Sequence, residues 1–320
     1  MRVEKIMIRN KRILITGGGG FIGSHLANSL VNDNEVIVYD DFHRGGNNLR
    51  KDSPNPKFRQ VTGSVLDIST LRKEMTGVNV VVHCAAIVGI NTVGNHPIQT
   101  LDVNIKGSAN VLEAASEESS IEQVVCFSTS EIYGEYAMNV SETDPASIGT
   151  PNQSRWVYAL SKLSEEFYAR AFFIEKGLPI TILRPFNVFG PGQIGDGAVK
   201  SFIHRALKNE TIEIVGDGLQ IRSWCFVDDF VNATNLALGE KLSIGETFNI
   251  GNPGNTTTID SLAKTVIRLL NSESRIKYVN AAQADVYVRI PRISKAQQIL
   301  GFEPVIGLEE GILKTAVQIN

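Results

Sequence analysis

Residues 13–23 read ILITGGGGFIG, and this stretch constrains the chain more than any other. Ile13, Leu14 and Ile15 form a short apolar run, as expected of a strand covered on both faces. Thr16 to Gly20 cannot hold a regular element, and from Phe21 to Val31 the apolar spacing becomes helical. A strand, a glycine turn and a helix in this order suit a diphosphate. The first helical turn leaves backbone N–H groups unpaired at the positive end of the helix dipole. Side chains on the turn would hold the phosphates away, so glycine is required there. Gly17, Gly20 and Gly23 have the spacing G-x-x-G-x-x-G, and Phe21 and Ile22 complete the predicted cofactor turn.

Further along, EVIVYD at Glu35 to Asp40 is a second apolar strand that ends in an acid. Asp40 lies where a dinucleotide-binding fold places the carboxylate that accepts the adenosine ribose hydroxyls. An acid there disfavours a 2′-phosphate and selects NAD over NADP. Asp41 is the alternative acid, and Arg44 keeps NADP in view. A polar loop over Gly45 to Pro56 precedes a third strand around Phe58 to Thr62, and Asp67 starts a helix. VNVVVH at Val78 to His83 is a fourth strand, running into the small-residue turn Cys84-Ala85-Ala86 at the carboxyl edge of the sheet. One long helix is expected from Pro97 to about Glu117 and carries Asn104. Val124 to Phe127 is a fifth strand that delivers Ser128, Thr129, Ser130 and Glu131, followed by a turn-rich loop to about Gln153. Arg155 to Lys176 is helical, and Pro179 to Leu183 is a sixth strand leading to Arg184-Pro185-Phe186-Asn187.

Repeated strand–helix order over residues 11–184 implies a doubly wound parallel sheet with helices on both faces. After Gly190-Pro191-Gly192 the elements become shorter and more mixed. The fold class is therefore α/β: a Rossmann-type NAD-binding domain over residues 1–190, with a smaller mixed α/β substrate-binding cap over 191–320. The boundary is soft, because the chain is expected to cross back.

Tyr158 and Lys162 stand four residues apart on the predicted helix and so share a face. A tyrosine with an ordinary pKa near ~10 is a poor base at neutral pH. An ammonium one turn away is expected to favour the phenolate, so the pair could exchange a proton with a sugar hydroxyl while hydride moves to nicotinamide. Thr129 is expected to donate a hydrogen bond to the reacting oxygen.

Composition narrows the partners. The chain has 320 residues, a net charge of −3 and 42% hydrophobic residues, which gives no electrostatic reason to expect nucleic acid or a membrane surface. No apolar run is long enough to span a bilayer, and Met1 to Asn10 is too charged for a signal peptide and reads as a short leader. Cys84, Cys126 and Cys225 include no C-x-x-C, and the histidines show no metal-ligand spacing. Reduced thiols in a cytoplasmic protein without a metal are expected.

TGGGGFIG, YDD, HCAA, FSTSEIYG, YALSK and LRPFN occur in this order. So do GDGLQIRSWCFVDD, FNIGNP and DVYVRIPRISKAQQILGFEP. Together they resemble the extended short-chain dehydrogenase/reductase family of NAD-dependent nucleotide-sugar epimerases, dehydratases and decarboxylases over nearly the whole chain. The resemblance implies catalytic roles for Thr129, Tyr158 and Lys162, with Ser130 and Glu131 beside them. For the cofactor it implies Gly17, Gly20, Phe21, Ile22, Gly23, Asp40, Asp67, Ile68, Ala85, Ala86, Asn104, Tyr158, Lys162 and Pro185. For the substrate it implies Asn187, Arg222, Asp285 and Arg289. It further implies transient oxidation at sugar C4, on a UDP-sugar by preference, and a homodimer formed through the helices from Pro97 and Arg155. T-S-E at 129–131 resembles decarboxylases of UDP-glucuronate and 4,6-dehydratases of GDP-mannose, whereas many 4-epimerases carry a small residue at the third position. Epimerisation or decarboxylation of a UDP-hexose or UDP-hexuronate is the leading expectation. Alternatives are 4,6-dehydration, net C4 oxidation, or a non-catalytic NAD-sensing protein on the same fold.

Overall fold

The computed structural model describes residues 8–44, 49, 56–195, 197–280 and 286–319. The leader falls largely outside these residues, as does most of the 45–56 loop. A sheet of seven parallel strands dominates the molecule. Its strands are β1 (Arg12–Thr16), β2 (Glu35–Asp40), β3 (Phe58–Thr62), β4 (Val80–His83), β5 (Gln123–Phe127), β7 (Ile180–Pro185) and β12 (Thr247–Ile250), in spatial order β3-β2-β1-β4-β5-β7-β12. Neighbouring strands run parallel throughout, with Ile13 beside both Val36 and Val80. Strand order reverses between β1 and β4, and that switch point is where ligands enter such sheets.

Successive side chains of each strand point to opposite faces and so build two cores. Ile13, Ile15, Val36, Val38, Val80 and Val82 pack on one face, against α1 (Phe21–Leu30) and later helices. Leu14, Ile37, Tyr39, Val81, Val124 and Cys126 pack on the other. That second face is covered by α2 (Ile68–Met75), α5 (Gly107–Glu117) and α6 (Trp156–Lys176). Burial on both sides explains the uninterrupted apolar runs of these strands.

The single long helix expected from Pro97 is three pieces. A short α3 (Ile90–Asn95) precedes α4 (Pro97–Leu101), which widens into a π-turn at Asp102–Lys106 before α5 continues. Asn104 sits inside that π-turn, and such wide turns are often found at functional sites.

A second sheet carries the order β13-β10-β15-β6, from β6 (Tyr136–Val140), β10 (Ile221–Ser223), β13 (Thr256–Thr258) and β15 (Val288–Pro291). Two smaller parallel pairs join β8 (Val188–Phe189) to β11 (Cys225–Phe226) and β9 (Ile212–Val215) to β14 (Ile276–Val279). Helices α7 (Ala198–Leu207), α8 (Val227–Gly239), α9 (Ile259–Leu269), α10 (Ser294–Leu300) and α11 (Leu308–Ile319) complete the later half. The stretch expected to be a loop up to Gln153 thus contains an edge strand, β6. The chain crosses between the sheets in both directions: β6 leaves the first half to pair with β15, and β12 leaves the second half to pair with β7.

Candidate active site

A cavity of about 460 Å³ opens at the carboxyl edge of the large sheet, over the switch point between β1 and β4. Its floor is the glycine turn, where Gly17, Gly20, Phe21, Ile22 and Gly23 line the wall. Gly17 has φ +68°, and a Cβ there would meet the Ala85 backbone N at 2.5 Å. On Gly23, a Cβ would meet the Gly17 carbonyl oxygen at 2.3 Å. The turn therefore presses against both β4's exit and the helix that follows. Gly20 caps α1 with no side-chain hydrogen bond, so the first-turn N–H groups are left to the cavity.

At the end of β2 the Asp40 carboxylate accepts from Gly19 N at 2.9 Å and from Phe42 N at 2.8 Å. Burial pushes its carboxyl above the usual range, and those two N–H groups pull it back. Asp41 faces His43 instead, with a 2.8 Å contact between carboxylate and ring. A Cβ-free floor, an uncapped helix N-terminus and a half-buried strand-end carboxylate fit a dinucleotide, with the diphosphate on Gly17–Gly23 and a ribose at Asp40. Tyr39, Gly63, Ser64 and Val65 line the same end of the cavity. Sequence reasoning misses Gly63, Ser64 and Val65, which belong to no charged or glycine-repeat motif, and reaches Tyr39 only as part of YDD.

Across the cavity, β5 ends in Ser128–Glu131, and all four residues line the wall. Thr129 Oγ1 accepts from Glu131 N at 3.2 Å and starts a 3₁₀ turn over Ser130–Tyr133, while its hydroxyl also bonds the Tyr158 phenol. Tyr158 and Lys162 line the cavity from α6, together with Ala85, Ala86, Pro185, Asn187 and Arg289. Asn187 adopts φ +40°, which asparagine tolerates better than most residues, and its Nδ2 donates to the Ser223 carbonyl at 2.9 Å. Arg289 lies with its Nη1 3.8 Å from Glu131 Oε1, joining the second sheet to the end of β5.

Electrostatics around Tyr158 differ from the sequence expectation. Burial raises the phenol above the ordinary tyrosine range, the Glu131 and Glu165 charges raise it further, and the Thr129 bond opposes them. Lys162 does not simply act on Tyr158, because its ammonium is ion-paired with Glu165. Both members of that pair are almost completely buried. Sequence reasoning misses Glu165, since a glutamate on a helix ordinarily reads as solvent-facing.

Several expected site residues lie off the cavity wall. Asn104 is fully buried: its Oδ1 accepts from Ile87 N at 2.8 Å and its Nδ2 donates to the Ile87 carbonyl at 3.1 Å and to Ser161 Oγ at 3.0 Å. It ties the Ala85–Ile87 turn to α6. Asp67 is exposed and caps α2, accepting from the backbone N and hydroxyl of both Ser69 and Thr70, and Ile68 begins that helix. Arg222 lies in β10, in register with Arg289, and donates to the Ile221 carbonyl. Asp285 lies outside the described residues.

Among the described residues, no helix is long and apolar enough to cross a membrane. The sequence model of the NAD dependent epimerase/dehydratase family matches residues 13–251. A UDP-N-acetyl-alpha-D-glucosaminuronate decarboxylase of Bacillus cytotoxicus is 34% identical over 315 residues, covering 95% of this chain and 96% of the relative. The structure of a UDP-glucuronic acid 4-epimerase from Bacillus cereus, in complex with UDP-glucuronic acid and NAD, superimposes with a TM-score of 0.89 at 29% identity, covering 96% of this chain and 98% of that one. A UDP-glucose 4-epimerase from Thermotoga maritima, solved with UDP-glucose, superimposes with a TM-score of 0.87 at 31% identity and the same coverage.

Proposed function

The chain belongs to the NAD dependent epimerase/dehydratase family, and from that membership we propose that it decarboxylates a UDP-hexuronate through a 4-keto sugar. The observation that carries this choice is the Glu131–Arg289 pair, 3.8 Å apart on the cavity wall beside Tyr158. An arginine fork suits a carboxylate, and its placement next to a second acid suits chemistry beyond simple inversion at C4.

The bound dinucleotide supplies hydride acceptance and return at C4. Tyr158 takes the proton of the 4-hydroxyl, and Thr129 holds the same oxygen as it becomes a carbonyl. Lys162 fixes the tyrosine side of the cavity. The ketone stands β to the C6 carboxylate, which Arg289 grips. When the C5–C6 bond breaks, its electron pair moves into the C4–C5 enolate, CO₂ leaves, and C5 takes up a proton. Tyr158 and Thr129 stabilise the enolate oxygen, and Glu131 orients the sugar during this step. Ala85, Ala86 and Pro185 close the apolar wall against which the reacting ring lies.

Two finer points belong to the same reading. Leu160, Phe167 and Ile174 recur every seven residues on the exposed side of α6, and Ile98 is exposed on the neighbouring α4. This apolar stripe supports a homodimer formed through these helices. The three cysteines are free, which suits a reducing cytoplasmic compartment. Residues 1–190 supply most of the cofactor side and 191–320 most of the cap, although β6 and β12 exchange between them.

Proton NMR of the protein with UDP-glucuronate and NAD⁺ tests the reaction. A UDP-pentose is the expected product, and Glu131→Gln is expected to suppress it. UDP-galacturonate as the sole product would replace decarboxylation with C4 epimerisation.

A further inference from the structure

We propose that Glu165 is a positioning residue for the tyrosine–lysine pair: its carboxylate pins the Lys162 ammonium against the sheet and cancels part of the charge Tyr158 meets, so the phenol keeps its proton until further positive charge enters the cavity. This inference rests on the catalytic reading of Tyr158 given above.

Geometry makes the case. Tyr158, Lys162 and Glu165 follow one another at spacings of four and three residues and so share one face of α6. Lys162 and Glu165 are 2% and 1% exposed and ion-paired. Behind Glu165 stands a closed polar chain. Ser108 Oγ lies 3.2 Å from Glu165 Oε2 and donates to the Asn104 carbonyl at 2.5 Å. His83 Nε2 lies 2.8 Å from Ser108 Oγ, and Thr16 Oγ1 lies 2.7 Å from His83 Nδ1. A neutral His83 donates from Nε2 to Ser108 and accepts at Nδ1 from Thr16, which leaves the single Ser108 proton to be shared between the Asn104 carbonyl and Glu165. Burial and the Lys162 charge keep it neutral, pulling its pKa down to about 3. His83 therefore brings no second cation to the carboxylate.

Stability alone does not account for this arrangement. Glu165 Oε1 is buried with no hydrogen-bond partner among the described residues. A buried pair of this kind is often no better for stability than a neutral pair of similar shape. What the carboxylate changes is the field on its own face of the helix. The ionisable groups around Tyr158 are Glu131 from the end of β5, with Arg289 behind it, Lys162 and Glu165 from α6, and Arg44 and Arg155, which line the adjoining cavity with it. Glu165 itself faces Lys162 and Glu166 on α6, Cys84 after β4 and Cys126 on β5, with His83 beyond Ser108. Burial pushes the Glu165 carboxyl up and the Lys162 ammonium pulls it back down; as a carboxylate it offsets part of the Lys162 charge, and Glu131 adds a second negative charge. Tyr158 then acts as a phenol in the free protein and gives up its proton only against an added cation, such as the oxidised nicotinamide ring.

The test is a phenolate titration by near-ultraviolet difference absorbance on NAD⁺-loaded, sugar-free protein, taking each protein minus its Tyr158→Phe counterpart. In Glu165→Gln the Tyr158 midpoint is expected about one pH unit below wild type, with the acidic limb of kcat/KM moving in the same direction. An unmoved or raised midpoint in the folded variant would overturn the proposal. If Glu165→Gln does not fold, the neutral pair Lys162→Met with Glu165→Gln takes its place. Its midpoint is expected within about half a unit of wild type, because the two charges offset one another. A midpoint displaced by more than about half a unit in that double variant would show that the two charges do not offset one another, and would equally overturn the proposal. If the midpoints move as expected while Tyr158→Phe retains full turnover, the charge balance stands and the catalytic reading of Tyr158 fails.

Discussion

His83 shows how one buried side chain ties the site to the stability of the fold. It is fully enclosed between Thr16 and Ser108, and burial, helped by Lys162, holds it neutral with a pKa of about 3. In the unfolded chain a histidine takes a proton near pH ~6.5. The folded value is depressed, so this contribution is fully present above ~6.5 and is lost as pH falls from there toward about 3. Over that window His83 is expected to remove about 1.4 kcal/mol of stability per pH unit. Urea unfolding at a series of pH values should show this slope in wild type and a flatter one in His83→Gln. Equal slopes would mean that His83 carries a proton in the folded protein. The same residue marks how far the sequence could be read. Gly17, Asp40, Tyr158 and Lys162 announce themselves because each belongs to a spacing with a chemical purpose. His83 and Ser108 do not, because their partners are brought together only by packing α5 and α6 on the sheet, and the Lys162–Glu165 spacing reads as an ordinary surface pair until its burial is seen.

At the scale of elements, α6 is held to the sheet by a second buried acid. Arg184 of β7 forks onto Glu166, with Nε to Oε1 at 2.9 Å and Nη2 to Oε2 at 2.7 Å, and Ser128 donates to the same carboxylate. Arg184 also reaches the Tyr133 hydroxyl at 2.6 Å, whose own proton goes to Asn249 on β12 at 2.8 Å. One guanidinium thus links α6, β7, the 3₁₀ turn that carries Glu131, and the last strand of the sheet. Arg184→Met leaves Glu166 buried and unpaired and should cost about 3–5 kcal/mol. Equilibrium denaturation would measure this, and adding Glu166→Gln should recover much of it. A loss below about 1 kcal/mol in the single variant would show that the pair is not buried in solution. Elements were legible in the sequence in proportion to burial. The strands of the large sheet stand out as continuous apolar runs because both faces are covered. Strands β6, β10, β13 and β15 are three to five residues long and mix polar with apolar positions, so only tertiary pairing defines them. The π-turn at Asp102–Lys106 left no trace in the hydrophobic spacing, because it widens a helix without ending it.

For the whole molecule, the exposed side chains of α6 are where the proposed homodimer is tested. Phe167 is 71% exposed and Ile174 is 67% exposed, and both lie on the stripe that continues to Leu160. If this face pairs with a second copy, Phe167→Glu combined with Ile174→Glu should yield a monomer in analytical ultracentrifugation, with its far-ultraviolet circular dichroism unchanged. A wild-type protein that sediments as a monomer at micromolar concentration would remove the dimer from the proposal.

The interleaving of the two sheets also bears on how the chain is made. On a ribosome, residues 12–185 emerge first and can assemble six of the seven parallel strands, yet the outer edge of β7 stays open until Thr247–Ile250 appears. During that interval β6 also lacks β15, which comes later still. A nascent chain is therefore left with two unsatisfied strand edges through much of its synthesis, the kind of surface that invites wrong pairing. Severing the chain near residue 190 would make that state permanent, so the two halves are obliged to fold as one.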